Sequence, residues 1–169
     1  MKINVGLAQI QPETKDKEKN INKMEKLLEE ANEKNSDLVV FPELALTGYN
    51  CSDDFFTVAE TIPGPSVKKL ESLAKQYDSY IIWGMPEKGI DGVLYNSAVI
   101  VGPEGYVGKW RKHTLPGHAT DKVGQGAFPD RRFFRAGSKS PVFETEIGTI
   151  GIMVCYDAFF LEISRTITL

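Results

Sequence analysis

The chain changes its hydrophobic period several times, and each change marks an element. In KINVGLAQI (2–10), Ile3, Val5 and Leu7 alternate with polar or small residues, the period of two expected of a β-strand. From Asp16 to Lys34 the period lengthens. Ile21, Met24, Leu27, Leu28 and Ala31 recur every three or four residues among Lys and Glu, which predicts a helix with one apolar stripe against a sheet. DLVVF (37–41) is a short continuous apolar run, expected of a strand buried on both faces. The pair then repeats. Pro65 and Ser66 open a second helix with Val67, Leu70, Leu73, Ala74 and Tyr77 on its stripe, and SYIIWG (79–84) supplies the next buried strand. Beyond it VLYNSAVIV (93–101) and YVGKW (106–110), joined by Gly102-Pro103-Glu104-Gly105, predict an antiparallel hairpin. A long loop containing Gly and Pro covers about 113–140. VFET (142–145) and TIGIMVCY (149–156) then read as a further strand pair, and AFFLEISRTITL begins a helix. Alternating helix and strand that give way to hairpins predict a layered α/β architecture with a mixed sheet. Residues 1–169 contain no repeat, low-complexity tract or interdomain linker, so a single domain is expected.

Composition narrows the function. The chain has 169 residues, 41% of them hydrophobic and 25% charged, with a net charge of −3, as expected of an ordinary soluble domain. KWRKH (109–113) and RRFFR (131–135) are basic only locally, so no nucleic-acid or membrane partner is expected; retention on heparin at moderate salt would argue otherwise. No apolar run is long enough to span a bilayer and the N-terminus lacks a secretory signal pattern, which makes the cytoplasm the expected location. Cys51 and Cys155, far apart and without a C-x-x-C, fit a reducing compartment, and His113 and His118 form no recognisable zinc-ligand set with them.

Three residues are candidates for chemistry, each with a plainer alternative. Cys155 ends an apolar run, and free cysteine is commonly inert core. A strand-to-helix turn would instead expose its sulfur beside backbone N–H groups, a setting that also lowers a thiol pKa. Glu43, in FPELALTGY (41–49), follows a buried strand at the edge where open α/β sheets bind ligands, although a solvated loop acid would look the same. Lys112 follows a hairpin strand, where lysines are usually exposed. Spacing alone does not join the three.

FPELALTGY, KWRKHTLPG and GIMVCYDAFFLEISR, in this order and at these separations, resemble the nitrilase superfamily of carbon-nitrogen hydrolases. INVGLAQI, FFRAG and the E-x-S-R after the cysteine extend the resemblance over essentially all of the chain. It implies a four-layer αββα sandwich with a Glu43–Lys112–Cys155 triad that cleaves a small amide or carbamoyl compound through a thioester, without metal or organic cofactor. It further implies that Tyr156, Asp130 and Tyr49 help position the oxyanion or substrate, and that the chain assembles as a homodimer or larger homo-oligomer. Three features depart from the family. Asp130 stands where many relatives have a longer Glu, and Ala158, Phe159 and Leu161 stand where ω-amidases often show Leu-Arg-Phe-Pro. Relatives also continue well past the nucleophile, so an incomplete C-terminus is expected. Losing a few hundred Å² of apolar cover would remove several kcal/mol at about 25 cal/mol per Å², predicting weak or no activity for residues 1–169 alone and a tendency to aggregate or oligomerise. Alternatives are ammonia supply to a synthetase by a glutaminase domain, nitrile hydrolysis, or a catalytically inactive binding module. Assay of ammonia release separates these classes.

Overall fold

A computed structural model describes residues 2–90, 92–117 and 130–169; His118 and residues 119–129 of the long loop lie outside it. The first strand, β1 (Val5–Leu7), is shorter than the alternating run around it, and the edge that carries Ile3, Val5 and Leu7 is 40%, 50% and 80% exposed. Helix α1 (Lys17–Glu33) begins where Asp16 caps it, its Oδ1 accepting from the Lys19 N–H at 3.0 Å. Its stripe buries Met24, Leu28 and Ala31, with Ile21 and Leu27 partly buried on the flanks. Strand β2 (Leu38–Val40) follows, then the short helix α2 (Phe55–Val58). Helix α3 (Pro65–Tyr77) has proline in its first turn and ends at Asp78, whose φ of 48° reverses the chain. It buries Val67, Leu70, Leu73 and Ala74, each leucine contributing roughly 1.5–3 kcal/mol by burial.

Strands β3 (Tyr80–Lys88), β4 (Leu94–Gly102) and β5 (Gly105–Arg111) complete a five-stranded sheet in the order β1-β2-β3-β4-β5. The β1–β2 and β2–β3 pairs are parallel and the β3–β4 and β4–β5 pairs antiparallel, the expected mixed sheet. Alternate residues separate its faces. Ile81, Trp83, Met85, Val99 and Val101 pack against α1 and α3, while Ile82, Ala98, Ile100 and Trp110 face the other way. That second face meets Phe143 of β6 (Val142–Thr145), which pairs antiparallel with β7 (Gly148–Gly151) in a separate two-stranded sheet. Helix α5 (Leu161–Thr168) adds Ile163 to the same cluster and brings Ile167 against Gly151. The layers therefore run α, β, β, α, consistent with the four-layer sandwich.

Two expectations at the end of the chain need correction. The strand predicted over 149–156 stops at Gly151, and the helix expected from Ala158 starts at Leu161. Between them residues 155–159 form a tight 3₁₀ turn. The ladder ends at the Val142–Gly151 pair, where β6 begins after Pro141, and beyond it the Asp157 carboxylate accepts from the Val154 N–H at 3.1 Å, closing the turn. Cys155 thus sits in a turn. Among the described residues no helix is long and apolar enough to cross a membrane.

Candidate active site

Glu43 is placed by a close backbone crossing. The chain turns immediately after β2, with Leu44 at a φ of 51°, and lies against Gly84 of β3. A side chain at Gly84 would meet Leu44 N at 2.2 Å and Glu43 Cα at 2.7 Å, so glycine alone admits the approach. The turn is tied to β3 on both sides, by Gly84 N–H to the Pro42 carbonyl and Leu46 N–H to the Gly84 carbonyl, both at 3.1 Å.

Lys112 follows the last residue of β5. Its backbone N–H continues the ladder to the Asn96 carbonyl at 2.8 Å, and its own carbonyl accepts from the Gly137 N–H at 2.8 Å. Its side chain is fully buried, with Nζ 2.7 Å from both Glu43 Oε1 and Asp130 Oδ2. Asp130 opens the short helix α4 (Asp130–Phe133), and its second oxygen accepts from the Tyr49 hydroxyl. Tyr49, Asp130, Glu43 and Lys112, all expected at the site, are therefore brought together. Burial alone would pull the Lys112 ammonium down, but the carboxylates of Glu43 and Asp130 outweigh it and hold the pKa above the usual lysine value. Burial, with Asp130 beside it, pushes the Tyr49 hydroxyl well above the usual range, so it donates and stays neutral.

Cys155 has a φ of 49°, a left-handed conformation rare for a residue with a side chain. Although the residue as a whole is exposed, its thiol approaches the Glu43 carboxylate, and the two share the lining of a cavity of ≈ 290 Å³ between the sheets. The expected lowering of the thiol pKa is not found. Desolvation and the neighbouring Glu43 carboxylate raise it, outweighing Lys112 and the Tyr156 N–H, which act in the opposite direction. Tyr156 contributes that backbone N–H beside the sulfur, while its ring packs against Phe159 and Phe160.

Asp157 and Asn96 were not singled out from the sequence. Asp157, fully buried, accepts from the Trp110 indole at 2.9 Å, from the backbone N–H groups of His113 and Thr114 at 3.0 and 2.8 Å, and from the Thr114 hydroxyl at 2.7 Å. It pins the cysteine turn to Trp110 of β5 and to His113 and Thr114, residues on either side of Lys112. Its place two residues after the cysteine was the available signal. Asn96, 1% exposed on β4, donates from Nδ2 to Glu43 Oε1 at 2.7 Å and to Asp130 Oδ2 at 3.4 Å. A polar residue inside the apolar run VLYNSAVIV was its signal.

The basic motifs are divided by the sheet. Lys109 and Arg111 point away from Lys112 and surround the buried Glu87, and Arg111 also lies over the Tyr95 ring. In RRFFR, Phe133 and Phe134 pack on Phe55, and Arg131 donates to the Leu115 carbonyl. Cys51 is buried, and both cysteines are free. Among the described residues no group of three or more His, Cys, Asp or Glu could hold a metal ion.

A layered α/β sandwich that gathers Glu, Lys and Cys at one end of its sheets defines the class. Residues 4–169 match the carbon-nitrogen hydrolase family, and the chain belongs to it, within the nitrilase superfamily. It is 38% identical over 171 residues to a nitrilase of Pyrococcus abyssi, covering 99% of this chain and 61% of that protein. It is 33% identical to the chloroplastic omega-amidase of Arabidopsis thaliana, covering 96% of this chain and 45% of that one. Nit3 of Saccharomyces cerevisiae, a member of branch 10 of the nitrilase superfamily, superposes with a TM-score of 0.82 at 26% identity, covering 97% and 59% respectively. The chain thus spans about half to three-fifths of the length of these relatives.

Proposed function

We propose that residues 1–169 form a carbon-nitrogen hydrolase domain that cleaves a small amide or carbamoyl compound through a thioester on Cys155. The observation that carries this reading is the buried Lys112 ammonium, 2.7 Å from Glu43 Oε1 and from Asp130 Oδ2, beside a thiol that contacts Glu43. Because the thiol is held above its ordinary pKa, it rests protonated and needs a base at the moment of attack. Glu43 takes that proton as sulfur adds to the carbonyl carbon. Lys112 and the Tyr156 N–H face the oxyanion that forms.

Collapse of this intermediate breaks the carbon-nitrogen bond, and the proton held on Glu43 passes to the departing ammonia or amine. Glu43, again a carboxylate, then deprotonates a water that attacks the thioester; carboxylic acid leaves and the thiol is restored. Asp130, braced by Tyr49, keeps the ammonium between the two carboxylates. The family resemblance further supports a homo-oligomer acting on a small molecule, and the absence of a secretory signal pattern supports the cytoplasm as its place.

The test is ammonia release by the complete gene product from small amides, carbamoyl amines, glutamine and nitriles. Stoichiometric ammonia and carboxylic acid from an amide or carbamoyl compound is expected. A folded protein that turns over none of these classes would be a binding module instead.

A further inference from the structure

We propose that Asn96 is a positioning residue of this site, one that fixes the Glu43 carboxylate so that a single oxygen is left for the Cys155 thiol. This rests on Glu43 serving as the base. Lys112 Nζ lies 2.7 Å from Glu43 Oε1 and from Asp130 Oδ2, and Asn96 Nδ2 contacts the same two oxygens at 2.7 and 3.4 Å. One ammonium and one amide thus close two carboxylates into a ring. A carboxylate oxygen offers two in-plane lone pairs. Those of Oε1 are filled by Lys112 and Asn96, so the proton from the thiol goes to Oε2. With Lys112 as its sole partner, the carboxylate could turn about its soft terminal torsion and exchange its oxygens.

The amide can face only one way. Reversed, it would set its Oδ1 against two carboxylate oxygens. In the observed orientation Oδ1 is buried without a hydrogen-bond partner among the described residues. An orphaned buried carbonyl costs stability, and nothing in the apolar strand around it compensates for that cost. What the residue supplies is its N–H pair at Glu43 and Asp130. Its neutrality matters too. Among the described residues, the titratable groups that face Glu43 are Lys112, Asp130 and Cys155, with Tyr49 behind Asp130. A second cation there would weaken the base, and a third carboxylate would compete with it for protons.

The rate at which iodoacetamide alkylates Cys155 across pH reads the base without any substrate. It is measured on the complete gene product in wild type, Glu43→Gln, Asn96→Asp and Asn96→Ser, each checked for folding by circular dichroism, alongside amide turnover. Glu43→Gln should abolish the low-pH limb of the wild-type profile. Asn96→Asp is nearly isosteric but adds a third carboxylate against Glu43 and Asp130, which must then share a proton with it, so that limb should move up by about one pH unit. Its kcat should fall about 10²-fold or more with KM changed less than about threefold. Asn96→Ser removes the amide without adding charge, and should lower kcat about tenfold or more with the limb in place. Folded Asn96 variants with wild-type profile and kcat overturn the proposal. An unaltered profile in Glu43→Gln overturns the base assignment itself, and the role of Asn96 with it.

Discussion

Gly84→Ala should disable the site while leaving its polar groups untouched. A Cβ at this position would lie 2.2 Å from Leu44 N and 2.7 Å from both Glu43 Cα and C, where ordinary van der Waals contact begins at 3.4 Å. All three neighbours are backbone, so no side-chain rotation relieves the overlap, and the turn must retreat by about 1 Å. Because that turn is bonded to β3 through Pro42 and Leu46, the displacement is passed to Glu43. Its 2.7 Å contacts with Lys112 and Asn96 would then stretch towards the limit of hydrogen bonding. Overpacking costs about 1–3 kcal/mol in stability, which leaves most molecules folded at 25 °C, whereas a shift of about 1 Å in a catalytic group costs roughly 100-fold in rate. Steady-state amide hydrolysis with a thermal melt on the same sample separates the two effects. The expected result is a folded protein, melting a few degrees lower, with kcat/KM down about 100-fold. A folded Gly84→Ala protein within threefold of wild-type kcat/KM would refute this account of how Glu43 is placed.

Lys112→Arg keeps the charge but puts a planar, bulkier guanidinium into a fully buried space shaped for an ammonium, and kcat should fall by about 100-fold or more; near-normal turnover would show that the cation need not be compact. Burial alone would raise the pKa of Glu87, but hydrogen bonds from Arg111, Lys109 and Ser97 hold it below the ordinary value of 4.5. Its contribution to stability is therefore full above that value and lost as pH falls through the lower folded-state value. Glu87→Gln should cost roughly 1–3 kcal/mol at pH 7, less than a wholly buried pair because Lys109 and Arg111 reach solvent, and the gap from wild type should narrow below pH 4.5; a gap independent of pH in thermal melts would contradict the pairing.

Elements with strong periodicity were legible in the sequence, and the turns that aim side chains were not. The stripe of α1 stands where spacing puts it, and the β4–β5 hairpin closes as its Pro-Glu loop predicts. In contrast, TIGIMVCY carries a strand's apolar content to its end, yet the backbone leaves the ladder at Gly151, where its partner strand begins, and Asp157 closes the turn that follows by bonding the Val154 N–H. A carboxylate that serves both its own turn and Trp110 of β5, 47 residues earlier, leaves no periodic trace. The direction of the Cys155 pKa shift was missed for a similar reason. Position at the start of a turn suggests stabilisation of the thiolate, but desolvation and Glu43, remote in sequence yet adjacent in the fold, act more strongly. Glu43, Lys112 and Cys155 were joined by resemblance, since burial of Lys112 contradicts what its position after a hairpin strand suggests.

The central claim is that Cys155 carries the acyl group, and turnover by Cys155→Ala of the complete gene product tests it most directly. The substitution removes one sulfur from an exposed turn, so the melting temperature should stay within a few degrees of wild type. Ammonia release from the best amide substrate should fall on the order of 10⁴-fold or more. A folded Cys155→Ala protein that retains a tenth or more of the wild-type rate would contradict the account.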